Sequence, residues 1–329
     1  MSTLQDRFGR RFSYLRLSVT DVCNFRCEYC LPNGYQGGGN DNRYGFLALD
    51  EIRRLVIAFT ELGTWKVRLT GGEPSVRKDF PEIVRTLNAI PGVQRLAMTT
   101  NAYRLARDAG TLREAGIDAI NISLDALDAE RFERITGDRR FDNVMQGIEA
   151  ALSAGFSSVK INAVLLRGLN DDQLPVFMEF VRDHPVSVRF IELMRTGTNA
   201  DYFAQRHVGG AMVREMLDEN GWTARERGPG DGPAVEYLHP DYRGTIGLIA
   251  PYAPGFCDSC NRLRVTARGG LRLCLFGHGA ADLRPLLQHD HQREELKACI
   301  VDSLFAKTPG HRLHEGDFGH TPHLAMTGG

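Results

Sequence analysis

The sequence predicts an α/β fold whose parallel sheet stops short of a closed eight-stranded barrel. Strand-like and helix-like runs alternate through the first 195 residues, and six of the runs are strand-like. Polar residues collect at the carboxyl ends of those runs, the face on which barrel-type α/β folds build their sites. Six units leave an incomplete barrel or an open sheet as the geometric choices.

In chain order the strand-like runs are Phe12 to Val19, Lys66 to Thr70, Val93 to Thr99, Ile117 to Leu124, Val159 to Leu166 and Val186 to Leu193. Helical patterns lie between them at Leu49 to Leu62, Phe80 to Ile90, Tyr103 to Ala115, Ala129 to Ala154 and Asp171 to Arg182, the fourth broken near Thr136-Gly137-Asp138. The glycine-rich stretch from Pro32 to Gly45 has no period and reads as a loop. After Thr196 the pattern changes to a polar segment, a helix near Val208 to Asn220 and a Gly/Pro-rich stretch from Gly228 to Pro233. Short strands follow at Val235 to Leu238 and Gly244 to Ile249, then helices near Ala280 to Gln288 and Arg293 to Phe305. The expected division is a core at 1–195, a smaller α+β layer over it at 196–307, and an irregular tail at 308–329 that ends in Gly328-Gly329.

Forty basic residues face forty-one acidic ones, so no global field points to nucleic acid or an anionic membrane surface. No secretory apolar segment opens the chain and no run approaches the length of a membrane span, which leads us to expect a soluble cytoplasmic protein. Six of the seven cysteines fall in two tight groups, a usage suited to metal or cofactor binding rather than a disulfide framework.

Cys23, Cys27 and Cys30 share one short loop after an apolar run. Three thiolates can converge there without a fourth, whereas iron–sulfur clusters usually take four. Either a partner lies elsewhere or one coordination position is open. Cys257, Cys260 and Cys274 form a second set of three, for which a zinc site completed by His278, or a plain structural role, stays open on spacing alone. Cys299 sits in a helical apolar pattern and reads as a small buried hydrophobe.

Several strand-like runs carry cations where Val or Ile would be ordinary. Lys66 and Arg68, Lys160 and Asn162, and Arg16 and Ser18 are each two apart and so share a strand face, and Arg189 lies within Val188 to Ile191. Arg262 and Arg264 repeat the spacing beside the second cysteine group. A cation on a covered face costs several kcal/mol unless an anion pairs with it. Single members could point outward or pair with Glu73, Glu192 or Asp125, but the pattern across four strands favours a polyanionic ligand.

Cys23-x3-Cys27-x2-Cys30, followed by Gly71-Gly72-Glu73-Pro74, resembles the radical S-adenosylmethionine (SAM) superfamily. Leu15 to Asp21, Thr99-Thr100-Asn101, Asn121 to Asp125, Arg189 to Glu192 and the second cysteine group with Arg262 and Arg264 are similar to the GTP 3',8-cyclases within it. The resemblance implies a TIM-like (β/α)6 partial barrel and two 4Fe-4S clusters, one on Cys23, Cys27 and Cys30 and one on Cys257, Cys260 and Cys274. It further implies SAM contacts at Tyr29, Gly72, Ser123 and Met194, and GTP contacts at Arg16, Lys66, Arg68, Thr99, Lys160, Asn162, Arg189, Arg262 and Arg264, with Arg16, Arg262 and Arg264 as catalytic candidates. The implied reaction turns GTP into 3',8-cyclo-7,8-dihydro-GTP, the first step of molybdenum cofactor biosynthesis. A downstream cyclic pyranopterin monophosphate synthase, a reductant such as flavodoxin or ferredoxin, and a monomeric or homodimeric state go with it. Ala102 departs from the family pattern, which has glycine after Thr-Thr-Asn.

Overall fold

The structure, a computed structural model, describes residues 4–37, 45–226, 228, 231–319 and 323–327. The six expected strands form as β1 (Tyr14–Ser18), β2 (Lys66–Thr70), β3 (Arg95–Thr100), β4 (Ala119–Ser123), β5 (Ser158–Leu165) and β6 (Ser187–Glu192). They pair in that order, all parallel. The intervening helices are α1 (Leu49–Glu61), α2 (Phe80–Asn88), α3 (Leu105–Ala115), α4 (Ala129–Thr136), α5 (Phe141–Ser153) and α6 (Leu174–Asp183). The break between α4 and α5 lies where expected, because Gly137 takes the left-handed conformation (φ +65°) that ends α4.

β5 shows how the sequence pattern sorts its faces. Val159, Ile161, Ala163 and Leu165 are buried against the helices, while Lys160 and Asn162 alternate with them and face the inside of the curved sheet. The barrel interior is therefore polar and cationic, and the apolar core lies between sheet and helices.

Beyond Thr196 come α7 (Ala200–Arg206), which the polar composition of its segment had hidden, α8 (Ala211–Glu219), β7 (Thr223–Ala224), β8 (Val235–Leu238) and β9 (Thr245–Ile249). They are followed by β10 (Arg262–Val265), β11 (Gly270–Arg272), β12 (Gly279–Asp282) and α9 (Arg293–Ser303). These strands join the barrel sheet itself. β10 pairs parallel with β1 and β9 pairs parallel with β6, giving the order β12-β11-β10-β1-β2-β3-β4-β5-β6-β9-β8-β7. The C-terminal region thus extends both edges of the sheet, and its cysteines reach the barrel mouth from the β10 side.

One expected helix, Ala280 to Gln288, is absent as such. Gly279–Asp282 pairs antiparallel with β11, and only a short 3-10 turn, Arg284–Leu287, follows. Pro285 offers no backbone donor to a helix running through it, and the sheet edge offers partners to the residues before it.

Candidate active site

The cysteine loop is fixed from three sides. Phe25 packs edge-on against Phe132 of α4 (5.8 Å between centroids), Arg26 N–H donates to Thr136 O (3.0 Å), and Asn101 Nδ2 donates to Asn24 Oδ1 (2.9 Å). Asn101 is held in turn by Glu73, which is 1% exposed and accepts from Asn101 N–H (2.6 Å), Thr100 Oγ1 (2.9 Å) and Ser75 N–H (3.0 Å). The glycines before Glu73 have a packing reason: a Cβ on Gly72 would stand 2.2 Å from Val22 O and one on Gly71 2.2 Å from Thr20 O. The Gly-Gly-Glu run thereby bolts the end of β2 to the cysteine loop. Ala102 has a positive φ of 62°, a conformation glycine would adopt more easily, which accounts for the glycine usual at this point of the pattern.

Both Cys-x2-Cys turns close in the same way. Cys30 N–H donates to Cys27 O (3.0 Å) and Cys260 N–H donates to Cys257 O (3.1 Å). Burial raises the thiols of the first group, Cys23 to about 11 and Cys30 to about 12, and neighbouring thiols add to this at Cys27 and Cys30. Three buried thiols that resist ionisation together become thiolates when a cation binds among them. The second group differs. Burial would raise Cys260, but Arg262 and Lys307 outweigh it and bring the thiol down to about 7. Among the described residues no three His, Cys, Asp or Glu side chains group as the ligands of a single metal ion do, and His278 does not line the cavity that Cys257, Cys260 and Cys274 share. A cubane cluster spreads its cysteines over different irons and suits such spacing better than a zinc ribbon does.

That cavity brings the two themes of the sequence together. Cys257, Cys260 and Cys274 line it with Arg16, Lys66, Arg68, Lys160, Asn162, Arg189, Met194, Arg262 and Arg264. Strand register explains the gathering. Arg264, Arg16 and Arg68 are partners across β10, β1 and β2, and Arg262, Tyr14, Lys66 and Arg95 form a second row across β10 to β3. Partners in register point to the same face. Burial and mutual repulsion pull Arg16 down from its ordinary value, and burial with Arg189 brings Lys160 down to about 8. The Nε atoms of Arg262 and Arg264 and the Oδ1 atoms of Asn121 and Asn162 are buried without a hydrogen-bond partner in the protein. Such orphaned groups cost free energy until a ligand meets them. Thiols, cations and the orphaned guanidinium donors fit a cluster beside an anionic ligand, and the two orphaned amide oxygens call for a donor on that ligand.

The sequence similarities agree with this geometry. A family model described as Radical SAM superfamily matches residues 17–181, and one described as Molybdenum Cofactor Synthesis C matches residues 186–313. GTP 3',8-cyclase of Aeromonas hydrophila is 54% identical over 331 residues, covering 100% of this chain and 97% of that protein. GTP 3',8-cyclase of Stenotrophomonas maltophilia is 54% identical over 329 residues, covering 100% of both chains. The chain belongs to the GTP 3',8-cyclase family. Among solved structures, Streptococcus suis SuiB bound to S-adenosylmethionine is similar in fold, with a TM-score of 0.59 at 12% identity over 87% of this chain and 68% of that one.

The remaining candidate residues of this GTP 3',8-cyclase family member are also placed. Thr99 does not line the cavity but its Oγ1 accepts from Arg68 Nη1 (3.4 Å). Ser123 stands opposite Asn162 in register. Tyr29 donates its hydroxyl to Asp125 (2.9 Å) and, with Cys30, lines a neighbouring cavity bounded by Thr196 to Tyr202 and His323. Met194 packs with Tyr29, Cys30 and Cys274 around Leu275, Phe276, Leu313 and Leu324, so one apolar cluster touches both cysteine groups. The tail reaches this region: Met326 O accepts from Ser18 Oγ (3.0 Å), and a backbone hydrogen bond from Ala325 lowers the Cys30 thiol against its burial. Gly328-Gly329 lie outside the described residues.

Sequence reading missed the acid that pairs with the strand cations. Glu73, Glu192 and Asp125 are engaged elsewhere, Glu192 with His207 (2.8 Å), and it is Glu236 on β8 that binds Arg189 and approaches Lys160 (3.6 Å). It also missed Tyr14, Arg10 and Lys307. Arg10 donates to Cys257 O (3.1 Å) and Thr308 O (2.6 Å), and the buried Lys307 donates to Leu273 O, next to Cys274. An arginine just before the first strand was the available signal for Arg10, whereas Lys307 meets Cys260 and Cys274 only through tertiary contacts.

Proposed function

We propose that this chain carries out the GTP 3',8-cyclase reaction, converting GTP to 3',8-cyclo-7,8-dihydro-GTP for molybdenum cofactor biosynthesis. The observation that carries the reading is the single cavity in which three cysteines of the second group meet two rows of strand cations. Cys23, Cys27 and Cys30 would hold one 4Fe-4S cluster and Cys257, Cys260 and Cys274 the other. When bound, the first cluster supplies the electron that cleaves SAM to start radical chemistry.

The chain's own residues bind and orient. Arg68, Lys66, Lys160 and Arg189, with Thr99 and Asn162, would take the triphosphate, since guanidinium and ammonium groups in a covered site favour phosphate oxygens. Arg16, Arg262 and Arg264 lie between that region and the second cysteines and would hold the base and ribose while charge shifts on the ring. Tyr29, Gly72, Ser123 and Met194 would shape the SAM side. We assign residues 1–195 to the SAM-binding core, 196–307 to the region of the second cluster and 308–329 to the tail. Among the described residues no helix is long and apolar enough to cross a membrane, and a cytoplasmic setting belongs to the proposal. A flavodoxin- or ferredoxin-type reductant and a cyclic pyranopterin monophosphate synthase complete the scheme, the enzyme acting as monomer or homodimer.

Product analysis of an anaerobic reaction with reconstituted protein, GTP, SAM and a strong reductant tests it. The cyclised nucleotide should form only when both GTP and SAM are present; SAM cleavage without it would overturn the GTP assignment.

A further inference from the structure

Tyr14 occupies the centre of the cationic rows without having a role in the scheme above. It is 6% exposed, lines the same cavity, and is the register partner of Arg262 on one side and Lys66 on the other. Its hydroxyl accepts a hydrogen bond from Arg68 Nε, and Lys66 Nζ sits 4.7 Å from its ring centroid. We propose that Tyr14 is a positioning residue that holds Arg68 and serves it as an internal anion in place of phosphate, so that polyanion binding is coupled to proton uptake by the phenol. The proposal deepens the GTP reading and rests on it.

The charged groups that act most strongly on the phenol are cations, Arg16 on its own strand and Lys66 and Arg68 on β2, with Arg262 and Arg264 on β10 and Arg95 on β3 in the flanking rows; Lys160, Arg189, Asp231, His311 and the thiols of Cys257, Cys260 and Cys274 line the same cavity. Burial favours the neutral phenol, but Arg68, Arg16 and Lys66 outweigh it and bring Tyr14 down to about 7. A bound triphosphate reverses that balance, because it neutralises the same cations and repels a phenolate. Below neutrality the phenol is already protonated and costs the ligand nothing. Above neutrality the ligand must first protonate it.

The experiment compares the holoenzyme with its Tyr14→Phe variant, which keeps the ring over Lys66. Affinities for GTP and for inorganic tripolyphosphate are measured anaerobically at about pH 6 and about pH 8. The ratio of wild-type to variant Kd should rise about tenfold between the two pH values, since a group titrating near 7 is about nine-tenths ionised one unit above. The ratio cancels titration of the ligand and of Lys160, which both proteins share. Calorimetry in two buffers of different ionisation enthalpy should show the variant taking up close to one proton fewer at about pH 8. An unchanged ratio and equal proton uptake overturn the proposal even if GTP binds well. Binding of tripolyphosphate with the Tyr14-dependent rise, but no binding of GTP, would sink the nucleotide reading and leave the phenol's role standing.

Discussion

Arg189 of β6 reaches over Gly247 of β9 to bind the carboxylate of Glu236 on β8. The three residues are register partners across adjacent strands, and a Cβ on Gly247 would stand 3.0 Å from Arg189 Cγ. Two of the cations that line the cavity, Arg189 and Lys160, therefore meet an internal counter-ion in Glu236. Burial raises the Glu236 carboxyl, but Arg189, Lys160 and Arg225 outweigh it and hold it at about 2.

Replacing Glu236 by Gln leaves the buried Arg189 and the partly exposed Lys160 short of a partner, and the folded protein should lose about 1–3 kcal/mol at neutral pH. The carboxyl titrates near 4.3 in an unfolded chain. Its stabilisation is thus complete above about pH 5 and is lost as pH falls through about 2. Urea unfolding should show the gap between wild type and variant widest at neutral pH and closing on acidification. A gap that stays constant with pH would mean that the charge of Glu236 is not what matters.

Cys257→Ala should separate the two cysteine groups. Iron content is expected to fall from about eight to about four per chain, with SAM cleavage kept and cyclised product lost. Cys23→Ala should instead abolish SAM cleavage. Loss of SAM cleavage in Cys257→Ala would contradict the division of roles.

Arg68 Nη1 donates to Met98 O (2.9 Å) while its Nε is held by Tyr14. Arg68→Ala removes a buried charged donor worth about 1.5–3 kcal/mol, or roughly 10- to 150-fold in GTP affinity. SAM affinity, measured in the same preparation, should move little. Equal losses for both ligands would point to general disruption.

Arg10 ties the N-terminal segment to the second cysteine turn, and Asp6 fixes Arg10 in turn through Oδ2 (2.8 Å to Nε). Arg10→Ala should let the second cluster decay faster in air while the first decays at its usual rate, with a stability cost of about 1–3 kcal/mol. Spectroscopic iron loss, resolved for each cluster by comparison with Cys257→Ala, reads this out. Uniform decay of both would show that the clamp is not local.

The parts legible in the sequence were those whose signal is local. Alternation along Ser158–Leu165 marked a strand with one apolar and one polar face, and Gly137 marked the end of α4, because side-chain direction and backbone preference are properties of neighbouring residues. Cys23, Cys27 and Cys30, Cys257 with Cys260, and the paired cations were legible for the same reason: thiols four or three positions apart, or arginines two apart, converge whatever surrounds them.

What only the tertiary structure decided were the pairings between distant strands. Arg264 beside Arg16, Glu236 beside Arg189 and Tyr14 beside Arg68 depend on register across the sheet, and register is set by the packing of every strand and helix together. Gly279–Asp282 became an edge strand for the same reason, its local pattern overruled by the hydrogen bonds that β11 offered. The chain spells out which groups can do chemistry. The sheet decides which of them stand close enough to neutralise, orient or titrate one another.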